Sequence, residues 1–307
     1  MIEGRADVFM ENQVATPIEA EREECPSPLS AQDVLQAFRT QSNAWTVERG
    51  RSVLAGRTLG TGPPLYFLNG IGGTHELYAL TVWLLRDHCR CVVYDYPNSG
   101  SNTNRGGNIS IEDLVDDLFA IADRHHDQRF SLYATSFGSL VALRAMLKFP
   151  HRVESGLIQG GFSHRKLSPF ERMLIRIGRR LPGTLQNVPL RRKIQQQNHR
   201  TWFPPFDDTR WQFFLENTGQ VSISTLAQRA AILRDCDFRT RLPKIRQPML
   251  LVRSEGEGQV AAKCHHELEA GLPNQRSDRL LSCGHLPHLT HPHRLVKLVR
   301  SFLLNRE

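Results

Sequence analysis

The stretch RFSLYATSFGSLVALRAMLKFP, from Arg129 to Pro150, constrains the fold more than any other part of the chain. It begins as an apolar, strand-like run, breaks at small residues around Ser136, and continues directly with helical spacing. A strand that turns into a helix within so few residues needs a tight, strained turn, which lifts the side chain at its apex above the sheet. We therefore expect the Ser136 hydroxyl to be raised above the end of a buried strand.

Strand-sized apolar runs alternate with amphipathic helical patterns through most of the chain beyond residue 45. The predicted strands are Trp45–Glu48, Ser52–Thr58, Pro64–Leu68, Arg90–Tyr96, Arg129–Thr135, Val153–Gly161, Met249–Glu255 and Ser277–Cys283. Helical patterns lie between them, for example from His75 to Leu85 and after the predicted N-cap Ser110. This alternation predicts an α/β fold with a mainly parallel central sheet and helices on both faces.

The alternation stops at about residue 162 and resumes at about residue 240. The segment between is basic, aromatic and helical in pattern, which predicts a helical cap inserted into a discontinuous core domain. The predicted organisation is a partly disordered N-terminal extension at 1–44, the first part of the core at 45–162, the cap at 163–239 and the second part of the core at 240–307.

The formal net charge of +8 is concentrated in the predicted cap. Between residues 165 and 200 only one acid, Glu171, accompanies ten basic residues: Arg165, Lys166, Arg172, Arg176, Arg179, Arg180, Arg191, Arg192, Lys193 and Arg200. Ser168 and Pro169 predict the start of a cap helix, whose apolar stripe is Phe170, Met173, Leu174, Ile177 and Leu181. This segment is either a solvated surface or a docking face for an anionic lipid surface or an acidic carrier domain. Because no nucleic-acid-binding motif accompanies the charge, no nucleic-acid partner is expected.

The overall composition of the 307-residue chain is that of an ordinary globular protein. The apolar runs are too short to cross a membrane, and the acidic N-terminus lacks the apolar region of a secretory signal. We therefore expect a cytoplasmic protein with no transmembrane segment. The six cysteines include no C-x-x-C pair, which favours reduced, mostly buried thiols.

A serine hydroxyl becomes an effective nucleophile when a base removes its proton and a third group orients that base. On a strand–serine–helix architecture, the acid follows a late strand and the histidine follows the last one. Glu257 comes after MLLVRSEG and His285 comes directly after the final predicted strand. The sequence therefore predicts a triad of Ser136, Glu257 and His285. The alternative acids are Glu255, Asp235 and Asp237.

Four motifs in this order resemble the α/β-hydrolase superfamily, over nearly all of residues 45–304. They are FLNGIGG (Phe67–Gly73), VVYDYPNSGSN (Val92–Asn102), ATSFG around Ser136, and GHLPHLTHP (Gly284–Pro292). The resemblance implies the α/β-hydrolase fold with a cap, a serine nucleophile, and an oxyanion hole formed by the backbone N–H groups of Ile71 and Phe137. This sequence departs from the family pattern at Asn69 (usually His), Asn98 (usually Gly), Ala134 (usually Gly) and Glu257 (usually Asp).

Two other kinds of site are disfavoured by spacing. A zinc site could be built from the types of residue at His285, His288, His291, His293, Cys264, His265, His266 and Cys283, but neither an H-E-x-x-H helix nor paired cysteines support it. Gly70, Gly72 and Gly73 form neither a G-x-G-x-x-G motif nor a P-loop. No metal or nucleotide cofactor is expected.

These observations predict a serine hydrolase that cleaves esters of a small or medium apolar acyl group through an acyl-enzyme. A thioester or a C–C bond beside a carbonyl would use the same triad. The alternative class is a non-catalytic ligand-binding or scaffold protein on the same fold. The aromatic residues Trp202, Phe203, Phe206, Trp211, Phe213 and Phe214 are expected partly to line an acyl pocket and partly to hold the cap on the core.

Overall fold

A computed structural model of the chain describes residues 30–50, 52–98, 108–205 and 207–304. The strands within these ranges are β1 Asn43–Arg49, β2 Ser52–Leu59, β3 Pro64–Leu68, β4 Arg90–Tyr94, β5 Phe130–Thr135, β6 Val153–Gln159, β7 Met249–Ser254 and β8 Gln275–Leu280. The α-helices are α1 Ala31–Gln41, α2 Ala79–Leu85, α3 Ile111–Arg124, α4 Gly138–Lys148, α5 Pro169–Gly178, α6 Arg191–His199, α7 Asp208–Gly219, α8 Ile223–Asp235, α9 Gly258–Gly271, α10 Pro287–Thr290 and α11 Pro292–Leu304.

All of these strands join one sheet in the order β1-β2-β4-β3-β5-β6-β7-β8. Strand β2 pairs antiparallel with β1 and β4, whereas every pairing from β4 to β8 is parallel. The predicted mainly parallel α/β sheet is confirmed. Because the strands from β3 to β8 run in the same direction, the loops that follow them meet at one edge of the sheet.

The two faces of the sheet pack against different helices, because side chains alternate along each strand. On β3, Tyr66 and Leu68 belong to a buried cluster with residues of α3, α4 and α9. Leu65 and Phe67 belong to a second cluster with residues of α1, α2 and α11. The sheet is therefore covered on both sides, which explains why its central strands read as nearly continuous apolar runs.

Some element boundaries differ from the predicted ones. The predicted last strand, Ser277–Cys283, lies too late: β8 pairs with β7 from Gln275 to Leu280. The chain leaves the ladder there because Ser282 adopts a left-handed conformation with φ of 52°. The predicted helix His75–Leu85 begins with a 3₁₀ turn, His75–Tyr78, before α2. The predicted N-cap Ser110 is confirmed, since its side chain accepts a hydrogen bond from the Asp113 amide.

The residues between β6 and β7, 160–248, form α5, α6, α7 and α8, and we call them the β6–β7 segment. Helix α5 begins at the predicted start: Ser168 is its N-cap and forms a capping box with Glu171. Its packing face is small: Ile175 and Gly178 are buried, and Gly178 lies against Ala227 of α8. The predicted apolar stripe of α5 points away from this contact, and its residues Phe170, Met173, Leu174, Ile177 and Leu181 are 45–63% exposed.

Several features of the sequence fall outside the described residues. They are residues 1–29 of the predicted N-terminal extension, the end of the VVYDYPNSGSN motif from residue 99, Cys25 and Phe206. The described part of that extension contains α1, which packs on α2. The five described cysteines are free and buried. None of the helices in the described ranges combines the length and apolar character that spanning a bilayer requires.

Candidate active site

Ser136 lies on the tight turn between β5 and α4, with φ of 48°. This left-handed conformation is unfavourable for a residue with a Cβ, and its cost is offset by the contacts around the turn. The Ser136 amide donates to the backbone carbonyl of Gln159 on β6, at 3.1 Å. Gly138 approaches β3 so closely that a Cβ would overlap the carbonyl oxygen of Leu68. The turn therefore requires a glycine two residues after the serine. The buried Ala134, two residues before the serine, is accommodated within β5.

Glu257 and His285 form a hydrogen-bonded pair, with 2.8 Å between Glu257 Oε1 and His285 Nδ1. The Glu257 side chain is 2% exposed and that of His285 is 33% exposed. The second carboxylate oxygen of Glu257 accepts the Ser254 amide at 3.1 Å. The longer side chain of glutamate therefore reaches the histidine from the turn after β7, with both carboxylate oxygens bonded.

The alternative acids have other partners. Glu255 contacts Arg279 at 3.2 Å and accepts the Ser282 amide at 2.9 Å. Asp235 pairs with Arg234, and Asp237 pairs with Arg239. Of the four candidate carboxylates, Glu257 is the one that the structure places against His285.

Ser136 and His285 line one cavity of about 260 Å³. Its walls come from the loop Asn69–Gly73, the end of β5, residues 285–288 after β8, and the β6–β7 segment. The apolar lining residues are Ile71, Leu77, Leu185, Phe214, Leu226 and Leu286. Within the described structure, the side chains of Ser136 and His285 do not form a hydrogen bond with each other. Hydrogen bonds between a nucleophile and its base are often long without substrate and tighten in the reacting complex.

The two predicted oxyanion donors belong to the loop after β3 and to the turn after β5. Ile71 lines the cavity, and Phe137 follows Ser136 directly, with its ring buried in the core. Among the described residues, neither amide donates a hydrogen bond to the protein. Arg229 of α8 donates to the Ile71 carbonyl at 2.8 Å, which ties the β6–β7 segment to the loop that carries the Ile71 amide. The two amides are therefore available to a substrate oxygen.

Asn69 replaces the usual histidine at the start of this loop. The Asn69 side chain is buried, and its Nδ2 donates to the Tyr94 carbonyl at 2.6 Å. The amide thus ties the loop after β3 to the end of β4. The second departure, Asn98, adopts a left-handed conformation with φ of 64°, which asparagine tolerates better than most residues.

Sequence reasoning missed the two residues that hold the candidate site together at the end of β6. Gln159 accepts the Ser136 amide through its carbonyl and donates through Nε2 to the His285 carbonyl at 3.0 Å. At Gly160, with φ of 58°, a Cβ would overlap Glu257 Oε1 and lie 3.0 Å from His285 Cε1. The one sequence signal for these contacts was the pair of glycines, Gly160 and Gly161, at the end of the predicted strand VESGLIQGG.

Trp202 contacts both loops that carry the Glu257–His285 pair. A Cβ at Gly256 or at Gly284 would overlap the Trp202 indole. Each of these glycines precedes a member of the pair, so the indole lies against both turns. The other described aromatic residues of the predicted set mainly form a separate cluster with Leu77 and Leu289, and Phe214 also lines the cavity.

Two further histidines line the cavity in neutral form. Burial, followed by the nearby His285, lowers the pKa of His288 to about 3 and that of His199 to about 4. His288 contacts Gln159 Oε1 at 3.2 Å. Across the described ranges, no group of three or more His, Cys, Asp or Glu side chains is arranged to hold a metal ion.

Curated relatives match most of the chain. A pimeloyl-[acyl-carrier protein] methyl ester esterase of Serratia marcescens is 27% identical over 269 residues, which cover 80% of this chain and 96% of the relative. A pyrrolizixenacetamide deacetylase of Xenorhabdus hominickii is 24% identical over 264 residues, covering 81% of this chain and 93% of the relative.

A solved structure and a family model agree on the fold. The crystal structure of a hydrolase from Pseudomonas aeruginosa PA01 has a TM-score of 0.74 and 22% identity, covering 85% of this chain and 98% of that one. The model of the alpha/beta hydrolase family matches residues 65–298. The chain therefore belongs to the alpha/beta hydrolase family, and it is a hydrolase.

Proposed function

We propose that the protein is a serine hydrolase that cleaves carboxylic esters, with Ser136 as nucleophile, His285 as base and Glu257 as the residue that orients His285. The observation that carries this proposal is the 2.8 Å Glu257–His285 pair beside a cavity that also contains Ser136 on a left-handed turn. The left-handed turn at Ser136, the shared cavity and the Glu257–His285 hydrogen bond support these three roles.

In the first half of the reaction, Ser136 Oγ attacks the ester carbonyl carbon while its proton passes to His285 Nε2. Glu257 accepts the Nδ1–H bond and stabilises the imidazolium that forms. The amides of Ile71 and Phe137 donate to the oxyanion. The carbon–oxygen bond to the alcohol then breaks, and His285 returns the proton to the leaving oxygen. In the second half, His285 activates a water that hydrolyses the acyl-enzyme by the same sequence of steps.

The cavity favours a small or medium acyl group, because its volume of about 260 Å³ lies just below the range of roughly 300–1,000 Å³ that is usual for small-molecule sites. We propose that residues 163–239, which make up most of the β6–β7 segment, form a cap between two core parts, 45–162 and 240–307, with 1–44 as an N-terminal extension. Residues of this segment form much of the cavity wall. The esterase among the relatives supports an ester substrate, whereas the deacetylase makes an amide the second bond type to test.

Initial rates on p-nitrophenyl esters from acetate to dodecanoate test this proposal. We expect turnover that is highest for the short and medium acyl chains and that falls steeply for dodecanoate. Comparing a butanoyl ester with the butanoyl thioester and the butanoyl anilide measures the preference among ester, thioester and amide bonds. A folded protein that hydrolyses none of these substrates, but binds their acids, would favour the alternative of a ligand-binding protein.

We also propose that α5 binds an anionic membrane surface. The exposed apolar stripe of α5 and of the turn after it (Phe170, Met173, Leu174, Ile177 and Leu181) is interleaved with exposed arginines. Among the described residues, Arg172, Arg176 and Arg180 have no ion-pair partner. Apolar and cationic side chains on one short helix and the turn that follows it match a bilayer interface with negative headgroups.

Vesicle sedimentation tests the membrane proposal. The protein should bind phosphatidylglycerol vesicles in a salt-sensitive way, and phosphatidylcholine vesicles weakly. Replacing Arg172, Arg176 and Arg180 with Glu should abolish this binding and leave hydrolysis of a soluble ester nearly unchanged. Binding to an acidic carrier domain, without binding to vesicles, would show that this domain and not the membrane is the partner of α5. Absence of both would make this face a solvated surface.

A further inference from the structure

Arg191 is a buried cation in the wall of the cavity that contains Ser136. It is the first residue of α6, it is 9% exposed, and it lines the cavity. Its Nη2 donates to the Leu215 carbonyl at 2.8 Å and to Thr218 Oγ1 at 2.7 Å. These two bonds to α7 fix the position of the guanidinium but leave its charge uncompensated.

No carboxylate neutralises this charge within the part of the chain that the structure describes. Every ion pair found there involves other residues, and burial, followed by the like charge of Arg192, lowers the pKa of Arg191. Buried charges in proteins are normally paired, because removing an ion from water without a counter-ion is costly. An arginine that is fixed in place, buried and unpaired beside a substrate cavity is therefore suited to an anion brought by the substrate.

Two more polar side chains extend from Arg191 along the same face of α6. Gln195 and His199 follow at intervals of four residues, which places all three on one side of the helix, and all three line the cavity. The amide of Gln195 and the neutral ring of His199 can each supply an N–H donor. Most of the other wall is apolar, so the polar face of α6 distinguishes one part of the cavity.

We propose that Arg191, with Gln195, forms a carboxylate subsite, and that the preferred substrates are esters whose acyl chain ends in a carboxylate. The planar guanidinium matches a carboxylate in shape, and a single negative charge compensates the single positive one. The substrate class is therefore the half-esters of dicarboxylic acids. This inference rests on the proposed ester hydrolysis at Ser136 and specifies which esters are cleaved.

Length-matched methyl esters test the subsite by turnover. Monomethyl glutarate, adipate and pimelate are compared with methyl pentanoate, hexanoate and heptanoate. We expect the best half-ester to exceed its neutral match about tenfold or more in kcat/KM. Arg191→Gln should lower kcat/KM for that half-ester by about 10- to 100-fold and change the neutral ester by less than about threefold. Arg191→Lys, which keeps the charge, should recover part of the loss.

The matched control is Arg192→Gln, which removes the same charge from the exposed neighbouring position and should leave the selectivity unchanged. Retained turnover of neutral esters shows that Arg191→Gln is folded. An equal loss for both kinds of ester would assign Arg191 a structural role and overturn the proposal. A wild-type preference for the neutral ester at every length would also overturn it.

Binding separates the failure of the subsite from a failure of the proposed hydrolysis. In the Ser136→Ala background, calorimetry should show tighter binding of monomethyl adipate than of dimethyl adipate. Adding Arg191→Gln should remove that difference. Equal affinity for the two esters would overturn the subsite whether or not the wild type turns over any ester.

Discussion

The carboxylate of Glu257 occupies the space that a side chain at Gly160 would need. The backbone of Gly160 packs directly against the Glu257–His285 hydrogen bond, so that a Cβ there would overlap Oε1 and crowd the imidazole. The pair is therefore held from the end of β6 as well as from its own two loops. The absence of a side chain at residue 160 is a condition for the geometry of the proposed triad.

Gly160→Ala should consequently separate the acid from the histidine. We expect ester hydrolysis to fall by about 10²-fold or more, since the unsupported histidine loses its orientation. The matched control is Gly50→Ala, because Gly50 has nearly the same φ, 60°, and no atom within 4 Å of the added Cβ. Both variants incur the left-handed strain of roughly 1–2 kcal/mol. Similar activities of the two folded variants would show that the contact with Glu257 is unimportant.

The identity of the acid is tested by paired substitutions on one turn. Glu257→Gln should retain the fold but lose activity by about 10²- to 10⁴-fold, because a neutral amide stabilises the imidazolium poorly. Glu257→Asp keeps the charge but withdraws the carboxylate by one methylene, so its loss should be partial. Glu255→Gln is the control, and its effect should be mild because Glu255 faces Arg279 and the Ser282 amide.

Steady-state kinetics of these variants would identify a wrong assignment. Near-wild-type turnover of Glu257→Gln, with a collapse on replacement of Glu255, Asp235 or Asp237, would transfer the role of the acid to that residue.

His288 should make the stability of the fold fall in mild acid. Burial lowers the pKa of His288 to about 3 in the folded chain, whereas an unfolded histidine has a pKa of about 6.5. Below pH 6.5 the unfolded chain therefore binds a proton that the folded chain excludes, and the free energy of unfolding decreases as the pH falls toward 3. From pH 7 to pH 5 this contribution amounts to about 2 kcal/mol.

Urea unfolding at several pH values measures this effect. His288→Gln should reduce the decrease in unfolding free energy between pH 7 and pH 5 by about 2 kcal/mol. The control is His293→Gln, which makes the same substitution at an exposed position. If the pH dependence is unchanged in His288→Gln, the folded chain protonates His288 as readily as the unfolded chain does, which would contradict this prediction.

The fold was predictable from the sequence because its signals are local. The break at Ser136, the capping box at Ser168 and the alternation of strands and helices each depend on residues close together in the chain. The fold also determined which loops meet, which is why Glu257 and His285 could be paired across 28 positions. Strand ends were less predictable: β8 ends early because Ser282 turns the chain, and nothing in the apolar pattern marks that turn.

The contacts that support the candidate site could not be predicted, because they join distant segments. Gly160 against Glu257, Trp202 against Gly256 and Gly284, and Arg229 on the Ile71 carbonyl are set by packing and not by spacing. The exposure of the α5 stripe has the same origin. Its sequence pattern shows an amphipathic helix, whereas the choice of the Ile175–Gly178 side for packing depends on the fit of Gly178 against Ala227.

The most direct test of the central claim is fluorophosphonate labelling of the wild type and of Ser136→Ala, read by mass spectrometry of the labelled peptide. The reagent should modify the wild type on Ser136 and leave Ser136→Ala unmodified, with ester hydrolysis reduced by about 10⁴-fold or more in the variant. Full labelling of a folded Ser136→Ala protein, or a wild-type label on another residue, would contradict the assignment of Ser136 as the nucleophile.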